Sequence, residues 1–138
     1  MTRLRILYLH QYFNTLQDSG STRSYEIARR LVRAGHEVHI VTTARSSDKK
    51  DGWVLSQEDG IHVHSVSIPY SNAMSYAARI RAFARFALQA TLKASAIPAD
   101  VVFATSTPLT IAVPGVLAAR RQRIPMVFEV RDLWPDIP

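Results

Sequence analysis

The chain has no cysteine. That removes disulfide frameworks, thiolate nucleophiles and cysteine-based zinc or iron–sulfur sites, and it suits the cytoplasm. Long apolar runs are missing as well. The longest, from Ile111 to Ala119, contains Pro114 and falls well short of the roughly 20 residues that span a bilayer. Behind Arg3 and Arg5 the first apolar run is cut by His10 and Gln11, too early for a signal peptide. A cytoplasmic location is therefore expected. Glycine is scarce, 5 in 138 residues, and no G-x-G-x-x-G follows the first strand-like run. The second strand-like run ends in Thr42 and Thr43 instead of a ribose-binding acid. Both absences argue against a dinucleotide cofactor. No stretch is dominated by proline, serine, glutamine or one charge sign, and with 47% hydrophobic and 20% charged residues the chain is expected to fold around one core.

The formal charge is +6, carried mostly by arginine, which favours phosphates, nucleic acid or acidic lipid headgroups as partners. Nucleic acid is set aside because the arginines are dispersed and no recognition motif accompanies them.

Leu4 to Leu9 reads as a parallel strand buried on both faces and central in its sheet. Ile27, Ala28, Leu31 and Val32 recur at helical spacing with Arg29, Arg30 and Arg33 facing outward, and Gly35 stops that helix. Glu37 to Thr43 completes a βαβ unit. Trp53 to Ser56 and Ile61 to Ile68 flank an Asp59-Gly60 turn signal and read as a hairpin or as a short strand beside a longer one. Met74 to Ala96 is the longest helical pattern, with Ile80, Phe83, Ala84, Ala87, Leu88 and Leu92 as its core stripe, ended by Pro98. Asp100 to Ala104 is another buried strand. The helix after Pro108 is apolar nearly all round and is expected to be largely buried, kinked by Pro114 or starting late. Pro125 to Val130 is the last strand. The pattern predicts a Rossmann-like, doubly wound α/β fold, with a mostly parallel sheet, helices on both faces and a site beyond the strand carboxyl ends.

That rule singles out His10 and Gln11 after the first strand, Ser106 and Thr107 after the fourth long one, and Glu129, Arg131 and Asp132 at the last. Gly20, Ser21, Thr22 and Arg23 lead into the first helix, whose amino terminus suits an anion and whose arginine suits a phosphate. A plain turn and cap explain the same residues. Glu129 with Arg131, or Arg131 with Asp132, fits either an acid–base site or an ordinary ion pair. On the long helix, Arg79, Phe86 and Lys93 share a face off the apolar stripe, which suits an anionic membrane surface; a phenylalanine packed under a neighbouring element is the alternative. His62 and His64 share a strand face and, with no third ligand nearby in sequence, read as exposed strand histidines.

Four segments, RILYLHQYF, GSTRSYEIARRLVRAGHEVHIVTT, VVFATSTPLT and PMVFEVRDLWPDIP, together resemble the amino-terminal domain of the two-domain GT-B glycosyltransferases. The resemblance is to retaining glycosyltransferase family four, in the branch that builds bacterial O-antigen and capsular polysaccharide, with FEVRDLWP the most specific stretch. It implies transfer from a nucleotide-sugar to a lipid-linked or saccharide acceptor, without a metal or other cofactor, at the inner face of the plasma membrane. It assigns Gly20, Ser21, Thr22 and Arg23 to the donor phosphates, Asp132 to the acceptor hydroxyl and Arg131 to phosphate or orientation. His10, Gln11, Ser106, Thr107 and Glu129 fall on the acceptor side. Ser21 stands where relatives carry a second glycine, and Arg131 where many carry a histidine, so a histidine base is not implied. The expected organisation is one acceptor-side domain over 1–138, truncated, without its carboxyl-terminal donor-binding domain and inactive alone. The competing expectation is a non-catalytic basic α/β module that binds a phosphorylated or lipid-linked ligand.

Overall fold

A computed structural model of the chain describes residues 2–16, 22–44, 52–68, 73–106 and 109–131. Within them the strands are β1 (Arg5–Leu9), β2 (Glu37–Thr43), β3 (Trp53–Glu58), β4 (Ile61–Val66), β5 (Val101–Thr105) and β6 (Met126–Glu129). The α-helices are α1 (Arg23–Arg33), α2 (Tyr76–Ala96) and α3 (Ala112–Gln122), the last preceded by a 3-10 turn at Leu109–Ile111. The six strands form one sheet in the order β3-β4-β2-β1-β5-β6. Only β3 runs antiparallel to its neighbour. The α/β, Rossmann-like, doubly wound reading of the sequence therefore stands.

Alternation along the strands divides the core in two. Ile6, Tyr8, Val38, Ile40 and Val63 point to the face covered by Tyr25 and Ala28 of α1. Leu7, Leu9, Val41, Val102 and Ala104 point to the other, under Ala82, Phe86, Ala90 and Ala94 of α2 and Ala118 and Ala119 of α3. The Asp59-Gly60 turn joins β3 to β4 with φ of 51° and 83°, the left-handed pair that a two-residue hairpin needs and that glycine adopts without strain.

Two helices are oriented differently from expectation. In α2, Phe86 is 1% exposed while Leu88 and Leu92 are 63% and 66% exposed, so the helix is turned over relative to its most apolar stripe. The buried line is Ala82, Phe86, Ala90 and Ala94, three methyl groups and one ring, which lets the helix axis approach the sheet and α3 closely. Phe86 is thus core and not surface. Lys93 lies over the Trp53 ring at 5.7 Å, and Arg79 is half-buried, its Nε without a hydrogen-bond partner. The proposed membrane trio of Arg79, Phe86 and Lys93 faces inward. In α3, burial is one-sided: Pro114, Gly115, Ala118 and Ala119 are buried, whereas Val113, Val116 and Leu117 are exposed. Pro114 sits in the first turn of α3, where it removes no intrahelical hydrogen bond.

Between α2 and α3, Gln122 ties the chain together. Its Nε2 donates to the Ala94 and Ile97 carbonyls at 3.0 and 2.8 Å, and its Oε1 accepts from the Ala99 amide at 2.9 Å. The last turn of α2 is held this way where Pro98 prevents the helix from continuing.

Candidate functional site

Strand β1 lies between β2 and β5. The chain leaves it toward β2 on one side and returns through β5 on the other, so the topological switch point falls at the carboxyl ends of β1 and β5. His10 and Gln11 follow β1, Thr105 ends β5 and Ser106 follows it. All four are buried. The loop after β1 is laced to β2: the Gln11 carbonyl accepts from the Thr43 amide at 3.1 Å and from the Thr42 and Thr43 hydroxyls at 2.9 and 2.7 Å. The Gln11 side-chain Oε1 is buried without a partner.

Helix α1 starts beside this crevice. Thr22 occupies its N-cap position, and its side chain makes no capping bond, so the positive end of α1 is turned toward the crevice without a Thr22 hydroxyl cap. Arg23 pairs with Glu129 at the end of β6. Thr105 Oγ1 donates to the other carboxylate oxygen at 2.8 Å. Burial pushes the Glu129 carboxyl up, but the Arg23 and Thr105 hydrogen bonds and the Arg23 and Arg131 charges outweigh it and hold the group below its usual value. Ser106 Oγ accepts from the Arg131 amide at 2.8 Å, and the Ser106 amide donates to the Glu129 carbonyl at 3.0 Å. The Arg131 side chain is left exposed at the mouth.

Beneath these charges sit His10, Ser24 and Tyr8. His10 Nδ1 and Ser24 Oγ are 2.7 Å apart. Burial pushes the imidazole down to about 4, with the positive charge of Arg131 adding to it and Glu129 opposing. His10 is therefore a neutral group at neutral pH. Burial also pushes the Tyr8 phenol up. The structure thus brings Arg23, Glu129, Ser106, Arg131 and His10 into one neighbourhood. Gly20, Ser21, Thr107 and Asp132 lie outside the described residues.

Three further participants are Tyr8, Ser24 and Thr105. Tyr8 sits inside β1 and Ser24 inside the first helical turn, where a reading by strand ends does not look, whereas Thr105 is the last residue of β5. Only the pairing of β5 with β6, which sets Thr105 opposite Glu129, brings the threonine to the carboxylate. A separate concavity of about 220 Å³ beside the carboxyl end of β2 is lined by Phe13, Thr42, Thr43, Ser56, Ser65 and Ser67, among others. Its hydroxyls suit a polar ligand.

Residues 20–138, which carry all but the β1 end of this site, match the family described as glycosyl transferase 4-like domain. The chain belongs to this family. Among solved structures, this glycosyl transferase 4-like domain is similar to the calicheamicin glycosyltransferase CalG4 at 18% identity and a TM-score of 0.58, over 94% of this chain and 33% of that one. It is also similar to the C-terminal domain of a hydrogenase from Pyrococcus furiosus at 14% identity and a TM-score of 0.64, over 91% and 90% of the two chains. Likeness at these identities speaks for the fold, which a glycosyltransferase and a hydrogenase domain here share, and not for function. The family match is what points to sugar transfer. No curated protein matches the chain.

Proposed function

We propose that this glycosyl transferase 4-like domain is the acceptor-side half of a retaining GT-B enzyme. In this reading the enzyme moves a sugar from a nucleotide-sugar to a lipid-linked or saccharide acceptor in cell-surface polysaccharide biosynthesis. The observation that carries it is the convergence of the α1 amino terminus, Arg23, Glu129 and Arg131 at the switch point. Phosphate recognition needs such a cationic wall with backbone donors. The Glu129 carboxylate holds Arg23 in place, and Thr105 holds the carboxylate. Arg131, exposed, is assigned to the donor phosphates. Asp132, next in sequence, is assigned to the acceptor hydroxyl. Positioning and electrostatic stabilisation of the leaving phosphate are then the contributions of this wall, and no metal or other cofactor is assigned to it. The test is donor turnover by the full-length polypeptide. Asp132→Ala and Arg131→Ala should each lower kcat/KM by about a hundredfold or more, and unchanged turnover refutes the assignment. Phosphate-dependent binding with no turnover in the unaltered protein would instead favour the non-catalytic module.

The same reading sets the domain on an anionic membrane surface, through the outward face of α2. Ile80, Leu88 and Leu92 are exposed there together with Arg81 and Arg85. No acidic residue occurs anywhere in α2, so the face is both apolar and cationic, the combination that anionic lipid attracts. Near its start, Ile68, Met74, Ala78 and Ala82 with Arg81 and Arg85 line a groove of about 230 Å³. None of the helices among the described residues is long and apolar enough to cross a membrane. Co-sedimentation with phosphatidylglycerol vesicles should exceed that with phosphatidylcholine vesicles and fall with Leu88→Ser/Leu92→Ser or Arg81→Glu/Arg85→Glu. Equal binding to both vesicle types, or no loss in either double variant, refutes it.

A further inference from the structure

Glu37, His39, His62 and His64 meet on the α2 side of the sheet, at the strand amino ends and away from the crevice of β1 and β5. The register of β2 and β4 places His39 directly opposite His62, with Glu37 two residues earlier on the same face. The imidazoles of His39 and His62 stack with centroids 4.6 Å apart. One ligand atom from each of Glu37, His39 and His62 lies within 4.8 Å of the other two, and all three residues are half-buried. Two strands, therefore, fix a carboxylate and two imidazoles around one point.

The surrounding contacts leave room for a cation at that point. His39 Nδ1 lies 3.0 Å from His64 Nε2, and His39 Nε2 lies 3.0 Å from Glu37 Oε1. Without an ion, one neutral tautomer satisfies both contacts, with His39 donating from Nε2 to Glu37 and accepting at Nδ1 from His64. A bound metal ion would take the place of the Nε2 proton between His39 and Glu37, and the Nδ1–H would then donate to His64. The His64 contact is also the kind of outer hydrogen bond that orients a metal-binding imidazole. The cations nearby are Arg3 and Arg5, 4.0 and 3.7 Å from Glu37 Oε2, and Lys93, whose charge acts on His64. Both arginines address the second carboxylate oxygen and leave Oε1 to face the histidines.

We propose that Glu37, His39 and His62 form a binding site for a zinc-class divalent cation, with His64 as the hydrogen-bonding partner of His39. Two imidazoles and one carboxylate suit Zn(II), with water as the fourth ligand. Tetrahedral zinc with bonds of about 2.05 Å sets its ligands about 3.3 Å apart, so the set has about 1.5 Å or less to close. The ion would staple β2 to β4, and its function is separate from the proposed sugar transfer.

Calorimetry and thermal unfolding of the full chain in a non-chelating buffer test this. Zn(II) should bind saturably at one per chain and raise the Tm by several degrees, reversed by EDTA, and Co(II) in its place should show the visible absorption of a four-coordinate ion. His62→Gln and Glu37→Gln, both of similar size to the residues replaced, should abolish the Tm rise. His64→Gln should weaken binding about tenfold. Absence of saturable binding overturns the proposal. So does binding that survives His62→Gln with full affinity, which would place the ion elsewhere.

Discussion

Replacing Phe86 by alanine asks which face of α2 is core. Its ring is 1% exposed and belongs to the buried cluster that holds Leu9, Val41, Val66 and Ile111, with Ala82 and Ala90 one turn to either side on the helix. A buried aromatic ring covers about 150 Å² or more, and truncation to alanine loses that transfer free energy and adds a cavity, about 3–5 kcal/mol in all. The adjacent methyl groups are too short to refill the space, so about 4 kcal/mol is expected. With an unfolding entropy of about 2.1 cal/mol/K per residue, that lowers the Tm of a 138-residue chain by about 14 °C. Leu88→Ala, at a position 63% exposed, should stay within about 0.5 kcal/mol and shift the Tm by less than about 2 °C. Urea denaturation with a common m-value gives the same comparison in free energy. If Leu88→Ala costs as much as Phe86→Ala, the helix is turned the other way and the membrane face falls with it.

His10, held down to about 4 by burial, Arg131 adding, gives a pH dependence. The unfolded chain protonates this imidazole near 6.5 and the folded chain only near 4, so the contribution is complete above pH 6.5 and is lost as pH falls toward 4. Relative to His10→Gln, the wild type should lose about 3 kcal/mol between pH 7 and 4 in urea titrations; parallel profiles contradict the buried neutral imidazole. Gln122→Leu strands the Ala99 amide, removes the side-chain donor of the Ile97 carbonyl and leaves the Ala94 carbonyl only the Ile97 amide. It should cost about 2–3 kcal/mol by chemical denaturation, with faster amide exchange at the end of α2, and a neutral result contradicts the tie. Gly115→Ala places a methyl group 2.7 Å from Met126 Cε and 3.2 Å from Ala104 Cβ; the flexible methionine can move and Ala104 cannot, so about 1–3 kcal/mol of destabilisation is expected, against a gain if the gap is real space.

Much of the architecture was legible because it rests on local patterns. β1, β2 and β5 are short β-branched or apolar runs with polar ends, and Asp59-Gly60 marks its own hairpin. Helix facing was not legible in α2, whose apolar residues run nearly all round it. What decides burial there is fit, and the alanines Ala82, Ala90 and Ala94 pack closer than Leu88 or Leu92 can. In α3 the same uniformity hid the exposure of Val113, Val116 and Leu117. The rule that ligands bind beyond strand carboxyl ends singles out His10, Ser106, Glu129 and Arg131, and the fold brings these four into one neighbourhood, because that rule depends on topology alone. The Thr105 contact was hidden because only the β5–β6 register sets it against Glu129. His62 and His64 looked unsupported in sequence, and the missing partners, His39 and Glu37, come from a strand some two dozen residues away, beside β4 in the sheet.

The central claim is that Arg23, Glu129 and Arg131 form the phosphate-facing wall of a sugar-transfer site. Steady-state kinetics of the full-length polypeptide with its nucleotide-sugar donor test it most directly. Arg23→Gln and Arg131→Gln should each lower kcat/KM by about a hundredfold, while Arg121→Gln, exposed at the far end of α3, should leave it unchanged. Equal activity in all three variants would contradict the account.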